Sequence, residues 1–173
     1  QQLIIHFCLM RNLTLELNSL EKTEYVARKM SQHLFQGAIM LFWGDMGSGK
    51  TTFIKSLCSG LGVLPEKVTS PTYTLVNIYK CSWSIFHVDL FRLTAPEQLY
   101  DMDRADLIAD EGVTMVEWPQ MLQNYLTDEP VLNLYFSTVC AVPFHQVLMP
   151  FVQTQTAIDN PDKGQQYWHL PTL

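Results

Sequence analysis

Residues 38–62 read Ala38-Ile-Met-Leu-Phe-Trp43, then Gly44-Asp-Met-Gly-Ser-Gly-Lys-Thr-Thr52, then Phe53-Ile-Lys-Ser-Leu-Cys-Ser-Gly60-Leu-Gly62. The first segment is an unbroken apolar run, the pattern of a strand covered on both faces. In the last, Phe53, Ile54, Leu57, Cys58 and Leu61 recur at helical spacing, and Gly60 and Gly62 suit a helix end. Between them lies a complete G-x-x-x-x-G-K-[ST] stretch. Strand, glycine loop and helix in this order turn a row of peptide N–H groups into one concavity with an ammonium beside it, which is a site for a polyphosphate. Gly44, Asp45, Met46, Gly47, Ser48, Gly49, Lys50, Thr51 and Thr52 are accordingly the expected nucleotide cradle. Within it Lys50 can reach the β- and γ-phosphates, and the Thr51 hydroxyl can ligate a Mg²⁺ that bridges them.

Two further apolar runs end in an acid: Ser84-Ile-Phe-His-Val-Asp89 and Thr114-Met-Val-Glu117. In open α/β sheets ligands sit at the carboxyl ends of the strands, where the glycine loop also lies. One carboxylate is therefore expected to serve the metal and the other to position an attacking water, with the spacing leaving open which does which. Thr72 is the next candidate. Helix 50–61 carries the chain about 18 Å from the loop, and the residues that follow span up to about 33 Å when extended, enough to return. Pro71 keeps Ser70 extended, so Thr72 falls where a threonine can sense the γ-phosphate through Mg²⁺. Trp118 is read as a core ring or a wall beside the nucleotide. His87 alternates with apolar neighbours and receives no role. Asp103, Asp106, Asp110 and Glu111 read as a solvated helix face.

The rest of the chain supplies the frame. Leu13 to Leu17 alternates as a strand, and Ser19 caps a helix with Leu20, Ala27, Met30 and Leu34 on one side. Strands are expected over 73–79, 83–89, 113–118 and 131–137. Thr94-Ala-Pro-Glu97 reads as a capping box that opens a helix to about Ala109. Met10 reads as a natural start, with residues 1–9 as an extension, residues 10–137 as the domain, and residues 138–173 as an irregular or disordered tail.

Composition narrows the class. With 173 residues, 47% of them hydrophobic, the chain suits one domain with a substantial core. A net charge of −6 and the lack of a Lys/Arg cluster argue against gripping nucleic acid directly. Cys8, Cys58, Cys81 and Cys140 form no C-x-x-C pair and read as reduced thiols of a cytoplasmic protein. No run approaches the roughly 18 apolar residues of a membrane span.

Taken together, Gly44 to Phe53, Ser70-Pro-Thr-Tyr-Thr-Leu75, His87-Val-Asp-Leu-Phe-Arg-Leu93 and Val116-Glu-Trp-Pro119 closely resemble the bacterial TsaE family, the YjeE-type ATPases. Four motifs in the correct order, from about Leu13 to Ser137, make this far more specific than the loop alone. The resemblance implies a mostly parallel sheet with helices on both faces, a three-layer α/β/α fold of the P-loop NTPase kind. It implies ATP and Mg²⁺ on the loop, with the metal held by Thr51 and Glu117. Asp89 becomes a Walker-B-like acid, Thr72 a switch element facing the phosphates, and Trp118 a neighbour of the active site. Thr23 falls in a helix that borders the nucleotide. The resemblance further implies an ATPase with little activity alone, working with the TsaD–TsaB heterodimer to make threonylcarbamoyladenosine on tRNA, and meeting tRNA only through that complex. The chain departs from the family's pattern from Thr138 onward, where a further Arg-containing strand near the adenine is expected and no Arg occurs.

Two rivals stand beside this reading. A small-molecule or nucleotide kinase would carry lid arginines, yet after residue 94 the chain has only Arg104. A nucleotide-gated binding module would use the same loop as a switch and hydrolyse ATP slowly. No N-K-x-D sequence marks a preference for guanine.

Overall fold

In a computed structural model, residues 2–8, 12–122, 125–126 and 129–139 are described. The chain runs β1 (Gln2–Cys8), β2 (Asn12–Leu17), α1 (Leu20–Ser31), β3 (Ala38–Trp43) and α2 (Lys50–Gly60). It continues through β4 (Val76–Lys80), β5 (Ser84–Asp89), α3 (Glu97–Tyr100), α4 (Arg104–Leu107), β6 (Gly112–Glu117) and β7 (Val131–Val139), with 3-10 turns at Pro65–Lys67 and Pro119–Leu122. The strands form one seven-stranded sheet in the order β2-β1-β7-β3-β6-β5-β4. Its four central strands are parallel, and β1, β2 and β4 join antiparallel at the two sides.

The two faces of β3 explain its unbroken apolar sequence. Ala38, Met40 and Phe42 point into a core with Val26, Ala27 and Met30 of α1 and Phe53, Ile54 and Leu57 of α2. Ile39 and Leu41 point the other way, against Leu99 of α3, Leu107 of α4 and Leu122. Alternate residues of one strand thus serve two cores, which is what a central parallel strand requires. The helices lie on both faces, as expected. Ser19 caps α1 by accepting from the Lys22 N–H at 3.2 Å.

Several local expectations are corrected. The helix expected from Thr94 to about Ala109 is two single-turn helices instead. Gln98, not Glu97, reaches back, its Oε1 accepting from the Thr94 N–H at 2.8 Å and the Ala95 N–H at 3.1 Å. Asp103 then turns extended and caps α4 through the Ala105 N–H, at 3.3 Å. Asp103, Asp106, Asp110 and Glu111 are all exposed, as a solvated face requires, and Arg104 pairs with Asp110 at 2.7 Å and with Glu129 at 2.5 Å.

The strand expected from Tyr73 begins at Val76. Pro71 to Leu75 closes a turn first, with the Leu75 N–H donating to the Pro71 carbonyl at 2.7 Å and Leu75 at φ 67. The strand expected to run through Trp118 stops at Glu117, and Trp118 takes φ 56. A left-handed conformation at a residue with a Cβ costs on the order of 1–2 kcal/mol.

Residues 2–8, expected as part of an extension ahead of Met10, pair antiparallel with β2 on one side and β7 on the other. Leu3-Ile-Ile-His-Phe7 has the β-branched and aromatic content of a strand. Thr138 and Val139, assigned above to an irregular tail, continue β7. Residues 140–173 lie outside the described residues.

Candidate functional site

The parallel ladders bring three strand ends to one level. Phe42 of β3 is paired with Glu117 of β6, and Glu117 with Asp89 of β5. The chain leaves β3 one residue later and enters the glycine loop, so the loop and both acids meet on one edge of the sheet. Alternation along the strands decides the face. Ile85 of β5 and Val113 and Met115 of β6 belong to the core beneath α1 and α2. His87, Asp89 and Glu117 keep the same parity and therefore face the start of α2.

Steric limits build the loop. Gly44 sits at φ 136, and a Cβ there would lie 2.3 Å from the Phe136 carbonyl oxygen. Gly47 sits at φ 77, with open space where a Cβ would stand. Lys50 opens α2 and turns its ammonium back into the loop, donating to the carbonyls of Gly44 and Asp45 at 2.7 Å each. The residue is only 4% exposed. Burial lowers the Lys50 pKa, against the pull of Glu117, Asp89 and Asp45 towards the charged form. The Trp118 ring covers the ammonium with its centroid 4.3 Å from Nζ and packs on Phe91 at 5.0 Å. This is cation–π geometry, and it accounts for the strained backbone at Trp118 as a site feature.

The two acids hold different partners. Glu117 is 3% exposed, and its Oε1 accepts from the Thr51 hydroxyl at 2.7 Å. Asp89 is 2% exposed; its Oδ2 accepts from Thr72 at 2.6 Å and Ser70 at 3.0 Å, and its Oδ1 from the Phe91 N–H at 3.0 Å. The Ser70 and Thr72 hydroxyl oxygens lie 2.8 Å apart, so the two hydroxyl protons are shared between Asp89 and this contact. The segment after α2 thus returns to the site, and Asp89 fastens it there.

Of the residues singled out in the sequence, Lys50, Thr51, Thr72, Asp89, Glu117 and Trp118 converge. Ser48 is buried at the base of the loop, while Asp45, Met46, Gly47 and Thr52 are exposed. Thr23 is not engaged with this cluster through any hydrogen bond seen among the described residues; its hydroxyl donates to the Ser19 carbonyl within α1, at 2.9 Å. Trp118 is half-buried at the site rather than a core ring. His87 was missed. It is fully buried, and its Nε2 lies 2.9 Å from Glu117 Oε1. Period-two alternation already put His87 on the face of Asp89, but its partner sits on another strand and alternation cannot name it.

The donor set fits Mg²⁺ with a nucleotide. A hydroxyl and a carboxylate 2.7 Å apart are hard oxygen ligands. Among the described residues no group of three or more His, Cys, Asp or Glu forms an all-protein cage. A helix N-terminus with a buried ammonium suits the anion.

Strand, glycine loop, helix and paired acids at parallel strand ends define an α/β protein of P-loop architecture. Comparison with known proteins narrows the class. The family described as Threonylcarbamoyl adenosine biosynthesis protein TsaE matches residues 17–141. The chain belongs to the TsaE family. It is similar to the tRNA threonylcarbamoyladenosine biosynthesis protein TsaE of Borreliella burgdorferi, with 32% identity over 129 residues, 73% of this chain and 93% of that protein. The protein of the same name from Synechocystis sp. is 37% identical over 114 residues, covering 61% and 69%. Among solved structures, the crystal structure of Bacillus subtilus YdiB superposes with a TM-score of 0.48 at 21% identity, covering 77% of this chain and 76% of that one. No helix among the described residues is long and apolar enough to cross a membrane.

Proposed function

We propose that this chain binds and hydrolyses ATP with Mg²⁺ as a component of threonylcarbamoyladenosine synthesis on tRNA, acting with a TsaD–TsaB type pair. Family membership supports the pathway, since the relatives named above carry it in their names. The observation that carries the site is the Thr51–Glu117 contact at 2.7 Å beside the Lys50 ammonium. Thr51 and Glu117 would hold Mg²⁺, which when bound would supply neutralisation of the phosphate charge.

The chain's own residues bind, orient and shield. The N–H groups of the 44–52 loop and Lys50 receive the phosphates, and Lys50 exchanges its bonds to the Gly44 and Asp45 carbonyls for phosphate oxygens. Thr51 and Glu117 present oxygen ligands from opposite sides of the helix–sheet junction. Asp89 keeps Ser70 and Thr72 at the site, so that Thr72 is at hand to report on the γ-phosphate, while Trp118 and Phe91 limit access of water to the ammonium. The chemistry asked of these groups is positioning and charge balance, which suits a weak ATPase completed by partners.

An acidic chain lacking a basic patch fits contact with tRNA through those partners rather than directly. ATP hydrolysis by the purified chain, alone and with the TsaD–TsaB pair, tests the proposal. The expected result is slow turnover alone and stimulation of at least about tenfold by the pair, one order of magnitude being about 1.4 kcal/mol. Phosphorylation of a small acceptor without the pair, or no binding of ATP at all, contradicts it.

A further inference from the structure

His87 belongs to β5, and its ring meets the metal-facing carboxylate of Glu117 from within the sheet. On the ladder it is paired with Met115, so Glu117 is its diagonal neighbour two residues along β6 on the same face. The 2.9 Å contact between Nε2 and Oε1 involves two side chains that are 0% and 4% exposed. A carboxylate accepts, so Nε2 carries a proton and donates, and the other ring nitrogen, Nδ1, is left over. That Nδ1 is the one buried side-chain nitrogen or oxygen without a partner among the described residues.

An imidazole with one nitrogen unsatisfied is a poor filler for an apolar core, because an apolar ring of similar size avoids the cost of the unpaired atom. Beyond packing, its polar chemistry is spent on Glu117 alone. Thr51 and His87 both donate to Oε1. Two donors arriving from α2 and β5 fix the torsion of the carboxyl group and leave Oε2 as the oxygen free of hydrogen bonds from described residues. The Tyr79 ring, 6.4 Å from that of His87 between centroids, backs the imidazole from β4.

We propose that His87 is a positioning residue: through its Nε2–H it holds Glu117 in the orientation that receives Mg²⁺ with the nucleotide. The inference rests on the proposed role of Glu117 as the metal-facing acid and adds to it the group that aims that acid. Groups that orient a metal ligand in this way carry roughly ten- to hundredfold in metal affinity.

The test is a set of Mg²⁺ titrations of the purified chain at saturating ATP, by calorimetry, with ATP binding in chelator measured alongside. Wild type, Glu117→Ala, His87→Phe, His87→Gln and His87→Asn are compared. A Gln amide can stand near the Nε2 position, whereas Asn is too short to reach Glu117. The expected result is a loss of about tenfold or more in apparent Mg²⁺ affinity for Phe and Asn. Gln stays near wild type, and metal-free ATP binding is unchanged in all three. Should the Phe variant fail to fold, as judged by thermal unfolding, the contrast between Gln and Asn decides. Wild-type Mg²⁺ affinity in the Phe and Asn variants, with Glu117→Ala weakened, overturns the role of His87 and leaves that of Glu117 standing. Equal losses in Phe, Asn and Gln, with metal-free ATP binding lost too, reduce His87 to a structural residue. Unchanged Mg²⁺ affinity in Glu117→Ala overturns the reading of Glu117, and the proposal with it.

Discussion

Glu117 and Asp89 are register partners at the ends of adjacent parallel strands, equally buried and both felt by Lys50. Their surroundings differ. Glu117 is tied to Thr51 on the first turn of α2 and to His87 inside the sheet, two elements that pack into one buried core. Asp89 is tied to Ser70 and Thr72, on a connecting segment whose Ser70 and Tyr73 are exposed, Tyr73 to 89%. Similar carboxylates at one level of a sheet thus serve a partner on a core helix and a partner on an exposed connection. A ligand site needs the first kind to keep its geometry and the second to respond to what is bound.

Substitutions can break this contrast, and the largest effect is expected where the two acids share a neighbour. Lys50→Ala removes the ammonium that both carboxylates face, and ATP binding measured by calorimetry should fall below detection. Retained micromolar affinity would show that the loop N–H groups suffice. Next comes Glu117→Ala, expected to lower Mg²⁺-dependent turnover on the order of a hundredfold while metal-free ATP still binds. Asp89→Ala frees Ser70 and Thr72; about tenfold slower turnover is expected, with little change in the Mg²⁺ requirement. A Mg²⁺ requirement shifted as far as in Glu117→Ala would erase the distinction between the acids.

The smallest effect is on pH. Burial lowers the Lys50 pKa from 10.5. The charged form that meets the phosphates is complete below the lowered value and is lost as pH rises through it, so ATP affinity should decline before pH 10.5 is reached. Stability should move the other way. Between the lowered value and 10.5 the unfolded chain holds the proton that the folded chain has shed, so stability rises with pH across that window. Calorimetric binding by the wild type and thermal unfolding on the same pH series check both signs; an affinity that stays flat up to pH 10.5, or an unfolding profile that does not differ between wild type and Lys50→Met, contradicts them.

How much of this was legible in the sequence follows from range. The strand, loop and helix over 38–60 were legible because periodicity and glycine placement act within a few residues. The acids at 89 and 117 were legible as strand ends, and the four motifs gave the family. Spacing alone left open which acid serves the metal, and only the resemblance assigned Glu117 to it, because the contacts that distinguish the two acids join residues 66 apart for Thr51 and Glu117 and 17 apart for Thr72 and Asp89. His87 escaped for the same reason, its partner being 30 residues away. The 94–109 region misled because Gln98 and Asp103 capped two separate turns where a capping box suggested one helix. Strand β1 pairs locally with β2 as well as with distant β7, but its short apolar run before Met10 was read as an extension.

The difference between the two acids is tested most directly by the Mg²⁺ enhancement of ATP affinity, measured by calorimetry for wild type, Glu117→Ala and Asp89→Ala. The account predicts that the enhancement drops about tenfold or more in Glu117→Ala and stays within about threefold of wild type in Asp89→Ala. Equal losses in the two variants, or the larger loss in Asp89→Ala, would contradict it.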